Sequence, residues 1–217
     1  MKVGVLGTGM VGRTLAGKLV SLGHEVTMGS RERGNERAVA WASAAGESAG
    51  EGSFADAAHA GELVVNATAG AASLDALAVA GADNLAGKVL IDVANPLDFS
   101  AGMPPALTVC NTDSLGEQIQ RAFPAARLVK ALNTVNADVM VDPRIVPGSH
   151  TIFVCGNDAD AKAQVAELLG SFGWAVEEIL DLGDITAARG AEMYLPLWLR
   201  LWGATGTGHL NVHVVAA

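Results

Sequence analysis

Residues 1–31 read MKVGVLGTGMVGRTLAGKLVSLGHEVTMGSR, and this stretch decides the fold. Val3, Val5 and Leu6 form a short apolar run of the kind a buried strand needs. Gly7-Thr8-Gly9-Met10-Val11-Gly12 comes next as a GxGxxG turn. Val11, Leu15, Leu19 and Leu22 then recur on one helical face, and Glu25–Met28 reads as a second strand. Strand, glycine turn, helix and strand in that order make a dinucleotide-binding unit. Gly7 permits the tight turn, Gly9 lets the backbone approach a pyrophosphate, and Gly12 lets the helix pack closely. The first N–H groups of a helix have no partner within it, so together with the helix dipole they attract phosphate.

The residues just after the second strand set the choice of cofactor. About 18 to 20 residues beyond the last glycine, where an NAD enzyme places Asp or Glu for the ribose 2′-OH, stands Ser30-Arg31-Glu32. A hydroxyl beside a guanidinium suits a 2′-phosphate, which an acid would repel. Arg33 and Arg37 are placed to reinforce this. The expectation is NADP(H); a slip of two residues would instead make Glu32 the acid of an NAD(H) site.

Of the 217 residues half are hydrophobic, enough for one large core. A formal net charge of −9 argues against a nucleic-acid binder, which needs clustered Lys and Arg. Cys110 and Cys155 stand far apart with no CxxC pair, and the histidines are scattered with no Cys partner, so neither a disulfide framework nor a metal site is expected. Lys2 runs straight into the first core strand and no apolar run is long enough for a membrane span, so a cytoplasmic protein with no membrane partner is expected.

Strands and helices alternate along the chain, which predicts an α/β Rossmann fold: a doubly wound, mainly parallel sheet with helices on both faces. Helices are expected over 35–45, 54–59 with Ser53 as cap, around Leu74–Ala78, after Ser114, and over 159–169. Strands are expected over 62–66, 88–92, 127–131, 150–155, 173–179 and 210–215. A long helix beginning near Asp184 should be split or kinked by Pro196. Leu195, Leu197, Trp198, Leu199, Leu201 and Trp202 leave that helix little polar face, which implies burial, here against a second subunit. The division expected is a Rossmann domain over 1–145 and a small C-terminal α/β lobe over 146–217.

Ligands of a doubly wound sheet sit at the carboxyl ends of its strands. Three such ends are small and polar: Asn66-Ala67-Thr68-Ala69-Gly70, Asp92-Val93-Ala94-Asn95-Pro96, and Lys130 through Asn133-Thr134 to Ala137. Thr68, Asn95 and Asn133 are the expected ligand contacts there, with Ala67 and Ala137 leaving room for ribose and nicotinamide. Asp92 reads as a cap, and Lys130 as a charged contact or, less readily, a base. No His, Tyr or carboxylate pair forms an acid–base set at these ends. Hydride transfer between two cofactors needs none, because the redox rings do the chemistry and the protein aligns them.

The GTGMVG turn, Gly29-Ser30-Arg31, the Val129-Lys130-Ala131-Leu132-Asn133-Thr134 strand end, Pro196-Leu197-Trp198 and Gly206-Thr207-Gly208 together resemble the F420-dependent NADP oxidoreductase family over nearly the whole chain. The resemblance implies an oxidoreductase that passes a hydride between NADP(H) and the deazaflavin coenzyme F420, built as a Rossmann domain with a compact C-terminal part and dimeric. It implies Thr8, Ser30 and Arg31 on the 2′-phosphate, and Gly9, Met10 and Val11 on the pyrophosphate. It also implies a second ring system between Asn133–Ala137 and the C-terminal helix. Asn133 and the surroundings of Thr68 are small and neutral where archaeal-type members carry a histidine and an aromatic-containing loop. NADPH-dependent reduction of a flavin or another small acceptor, and a non-catalytic NADP(H) sensor, stand as the alternatives.

Overall fold

Strand β1 (Lys2–Leu6) is buried at every position after Lys2, because it lies inside a sheet covered on both faces. The structure, a computed structural model, describes residues 1–216. In chain order β1 is succeeded by α1 (Met10–Ser21), β2 (Glu25–Ser30), α2 (Glu36–Ala45), β3 (Ala49–Ser53), α3 (Phe54–Ala60) and β4 (Leu63–Asn66). Then come α4 (Ser73–Ala80), α5 (Ala82–Leu85), β5 (Val89–Asp92), the two-residue strands β6 (Leu97–Asp98) and β7 (Ala106–Leu107), α6 (Leu115–Ala122) and β8 (Arg127–Ala131). The chain continues through α7 (Ala137–Val141), β9 (Ile152–Cys155), α8 (Ala159–Phe172), β10 (Ile179–Asp181), α9 (Ala188–Met193) and α10 (Leu195–Thr205).

The main sheet has eight strands in the order β10-β9-β8-β5-β4-β1-β2-β3. From β8 to β3 all neighbours are parallel, and the order reverses direction between β1 and β4. That reversal is the doubly wound arrangement, and it opens a crevice where the loops after β1 and β4 part to opposite sides. Alternate side chains divide between two cores. Leu63, Val65 and Ile91 join Val3, Val5, Leu15 and Leu19 on one face, and Val64, Leu90 and Leu128 join Leu6, Phe54 and Leu77 on the other. With both faces covered, these strands read as continuous apolar runs rather than alternating ones.

β9 runs antiparallel to β8, and β10 parallel to β9. Residues 146–216 therefore extend the same sheet, and a boundary at residue 145 falls between neighbouring strands rather than between two sheets. Two expected strands are corrected. Across 173–179, Val176–Glu178 form a single 3-10 turn, closed by the Glu178 carboxylate reaching back to the Ala175 N–H at 3.0 Å, and the strand starts only at Ile179. Residues 210–215 form no strand. Their bonds go mainly to His150 and Thr151: the Thr151 N–H donates to the Val212 carbonyl at 2.8 Å, its hydroxyl accepts from the Val214 N–H at 3.1 Å, and the Asn211 amide reaches the Thr151 carbonyl and His150 Nδ1, each at 2.9 Å.

β3 is a strand that the sequence pattern does not announce: Ala49-Gly50-Glu51-Gly52-Ser53 has no apolar periodicity because it is the sheet's edge. The long C-terminal helix is divided at Tyr194, and Pro196 lies in the first turn of α10, where its missing N–H costs nothing. Among the described residues no helix is long and apolar enough to cross a membrane.

Candidate functional site

A cavity of about 720 Å³ opens at the crevice between β1 and β4. Gly7, Thr8 and Gly9 form one wall, Ala67, Thr68 and Ala69 another, and Ser30 through Asn35 the end beyond β2. Phe54, Ala72, Asp75, Ala76 and Val79, which the sequence did not single out, complete the lining. Gly7 has φ +121°, and a side chain there would meet the Ala67 carbonyl oxygen at 2.5 Å. At Gly12 a Cβ would lie 2.1 Å from the Gly7 carbonyl oxygen, so only glycine lets α1 start this close to the turn. A Cβ at Gly9 would meet nothing within 4 Å, which leaves its backbone open to a ligand.

Gly9 caps α1 without a side-chain hydrogen bond, and the first turn holds no acid. The free N–H groups and positive end of this 12-residue helix have the chemistry that attracts a phosphate. Met10 is exposed and Val11 half-buried, and neither side chain, nor Gly12, lines the cavity. Arg13 donates to the Thr8 carbonyl at 2.7 Å and fixes the turn's first peptide.

Ser30, the last residue of β2, is buried, and its hydroxyl donates to the Glu32 carbonyl. Arg31 is exposed on the cavity wall and makes no ion pair or hydrogen bond among the described residues. Arg33, expected to reinforce it, is engaged elsewhere: its guanidinium holds both oxygens of Asp56, at 2.6 and 2.5 Å. That contact, with two further bonds from Ser53, draws the Asp56 carboxyl well below the usual carboxylate range.

At the end of β4, Asn66 is wholly buried and organises its neighbours. Its amide donates to Asp92 at 2.8 Å and to Ser73 at 3.1 Å, while its oxygen accepts the Thr68 hydroxyl at 2.7 Å. Thr68 thus reaches the cavity wall from a braced position. Asp92 accepts the Ala94 N–H at 3.2 Å, the capping role expected of it, and also receives the Lys130 ammonium at 2.7 Å. Lys130 is fully enclosed, with Glu192 of α9 at 2.8 Å on its other side and the Ala94 carbonyl also accepting from it. Burial alone would lower the Lys130 pKa, but the two carboxylates outweigh it and raise it. Enclosed and held charged, Lys130 is a structural tie between β5, β8 and α9 and not a base, which corrects the weaker reading of the sequence.

Asn95 and Asn133 face each other. The Asn95 amide donates to the Asn133 carbonyl at 2.8 Å, and the Asn133 amide donates to Asn95 Oδ1 and to the Ala191 carbonyl, each at 3.0 Å. They brace the ends of β5 and β8 against α9 and do not line the cavity. Ala137 is buried as the first residue of α7. Close by, three buried polar atoms have no hydrogen-bond partner among the described residues: Thr134 Oγ1, Tyr194 OH and Trp198 Nε1. Thr134 adjoins Asn133 in the chain, and Tyr194 and Trp198 come after its partner Ala191 at helical spacing. Cys155 is buried and its thiol is pushed up to about 12, chiefly by burial, as suits an inert core residue.

The family described as NADP oxidoreductase, coenzyme F420-dependent, matches residues 2–96. A candidate F420-dependent NADP reductase from Arthrobacter sp. FB24 is 56% identical, superposes with a TM-score of 0.93, and each chain covers 100% of the other. Metalloreductase STEAP3 of Rattus norvegicus is 31% identical over 202 residues, 91% of this chain but 38% of its own length, so this chain spans well under half of that relative. A reductive aminase from Aspergillus terreus, in complex with NADPH and ethyl levulinate, shares the fold alone, at 20% identity and a TM-score of 0.65 over 94% of this chain and 62% of its own. The match over residues 2–96, joined to end-to-end likeness at 56% identity, means that the chain belongs to the family of coenzyme F420-dependent NADP oxidoreductases.

Proposed function

We propose that the chain binds NADP(H) along the β1–β4 cavity and transfers a hydride between it and coenzyme F420. One observation carries the cofactor half of this reading: the uncapped, acid-free N-terminus of α1 shares its cavity with Arg31, the guanidinium left unpaired beside an Arg33 already taken by Asp56. A pyrophosphate would rest on Gly9, Met10 and Val11, and the 2′-phosphate on Thr8, Ser30 and Arg31, with the Ser30 hydroxyl turning from Glu32 to meet it. The partnerless Thr134 Oγ1, Tyr194 OH and Trp198 Nε1 atoms support a polar heteroaromatic acceptor near Asn133–Ala137 and α10, since orphaned donors are costly and ring carbonyls and nitrogens would satisfy them.

When bound, the nicotinamide and deazaflavin rings supply the redox chemistry themselves. The chain's own work is positioning: α1 anchors the dinucleotide, the Asn95–Asn133–Ala191 brace fixes the two strand ends, and α10 keeps water out. No proton transfer by a side chain is needed, which accords with a cavity lined by neutral groups at its strand ends. The reading includes a homodimer in which a second copy covers Leu197 and Trp202, 54% and 42% exposed on α10, and light scattering at the dimer mass tests it. A second reading, reduction of a flavin or another small acceptor by NADPH, draws on the likeness to the metalloreductase.

The test is to mix the protein anaerobically with NADPH and oxidised F420 and monitor the deazaflavin's visible absorbance. Bleaching with NADPH and not with NADH supports the proposal. Binding of NADPH without bleaching, with turnover of a flavin or ferric chelate in parallel cuvettes, replaces it by the second reading.

A further inference from the structure

Two residues of the loop between β2 and α2, Arg33 and Gly34, are tied to β3–α3. Arg33 holds both oxygens of Asp56. Asp56 in turn accepts the Ser53 N–H at 2.8 Å and the Ser53 hydroxyl at 2.6 Å, while its own N–H donates back to Ser53 at 3.1 Å, closing the capping box of α3. The Gly34 N–H donates to Glu51 Oε2 at 3.0 Å. Asn35 caps α2 by accepting from the Arg37 and Ala38 N–H groups. Arg31 and Glu32 are the residues suspended between these ties and the end of β2.

We propose that Asp56, acting through Arg33, is a positioning residue for cofactor selectivity: it keeps the loop in the conformation that presents Arg31 on the cavity wall and touches no cofactor itself. This inference rests on the NADP(H) reading of the cavity. Two physical consequences support it. A loop already ordered in the free protein spares each binding event the entropy of ordering it. The pairing also neutralises Asp56, which sits two residues after the cavity-lining Phe54 and would otherwise set an uncompensated negative charge near a phosphate. The Arg33 side chain is 76% exposed, so the effect sought is small and must be read as a ratio.

The clean test is the double variant Arg33→Ala with Asp56→Ala, which removes one charge of each sign and so leaves the local net charge unchanged. Dissociation constants for NADPH and NADH are measured by titration of cofactor fluorescence. An exposed pair worth up to about 1 kcal/mol corresponds to a loss of about three- to five-fold in NADPH affinity, with NADH unchanged. Arg33→Gln, which leaves the Ser53–Asp56 capping box in place, should lose at least as much, because it also leaves the Asp56 charge unpaired. An unchanged NADPH-to-NADH ratio in both variants, or equal losses for both cofactors, overturns the proposal. Arg31→Ala is measured alongside. If it loses NADPH selectively while the Arg33 and Asp56 variants do not, only this inference falls; if the unaltered protein shows no preference for NADPH, the reading of the cavity falls with it.

Discussion

Replacing Arg31 by Ala should separate the two nicotinamide cofactors. Arg31 is exposed and bonded to nothing among the described residues, so its removal should change folding stability by less than about 0.5 kcal/mol. A charge-assisted contact to a phosphate contributes about 1.5–3 kcal/mol, and the lower part of that range applies because the cavity is open to solvent there. A loss of about 1.5–2 kcal/mol is a 10- to 30-fold rise in the Kd for NADPH. NADH, which has no 2′-phosphate, should change little. Arg31→Lys should fall between, because it keeps the charge and loses the planar fork. Raising ionic strength should weaken NADPH more than NADH, since charges are screened over about 8–10 Å at physiological salt. Titration of cofactor fluorescence, checked by calorimetry, measures all of these. Equal losses for the two cofactors, or none for either, would refute the assignment of Arg31 to the 2′-phosphate.

Three further outcomes test other parts of the structure. Gly9→Ala should fold normally, as its Cβ meets nothing, yet weaken NADPH and NADH alike; Gly12→Ala should unfold at markedly lower temperature, as its Cβ is driven to 2.1 Å from a carbonyl oxygen. Lys130→Met leaves Asp92 and Glu192 buried without their cation and should cost about 3–5 kcal/mol, roughly 10 °C in Tm; a Tm within error of the unaltered protein would contradict the enclosed ion network. Acid should destabilise the α6 surface. Arg121 holds Asp113 at about 2, and Arg189 holds Glu117 below its ordinary value. Both folded-state pKa values are depressed, so their stabilisation is present above the ordinary carboxylate range near pH 4 and is lost as pH falls toward 2. Urea midpoints at pH 7 and pH 3 measure the loss, and Arg189→Met should reduce it; an unaltered dependence would sink the assignment.

The first thirty residues are legible because each local signal agrees with the sheet that forms. Val3, Val5 and Leu6 are buried where their apolarity says, and Gly7 has the positive φ its place in the turn requires. Ser53 and Ser114 cap the helices that their spacing announces. Local patterns end where partners come from elsewhere in the chain. β3 has no large apolar residue to betray it, and its place is set by pairing with β2 along the sheet edge. The Arg33–Asp56 contact joins residues 23 apart and the Asn95–Asn133 brace residues 38 apart, so nothing near either residue marks the pairing. For the same reason the sequence marks Asn95 and Asn133 as small polar residues at strand ends without showing that they bond each other. The residues 210–215 alternate as a strand should, but among the described residues they bond only to His150, Thr151 and one another, with no neighbouring strand to pair with.

The most direct measurement traces the transferred atom. NADPH carrying deuterium at C4 of the nicotinamide, with each face labelled in a separate preparation, is mixed anaerobically with the protein and oxidised F420, and the products are weighed by mass spectrometry. The proposed function requires that one of the two preparations deliver its deuterium to C5 of the reduced deazaflavin without dilution by solvent protons. Loss of the label to solvent, or no reduction of F420 by protein shown to bind NADPH, would contradict it.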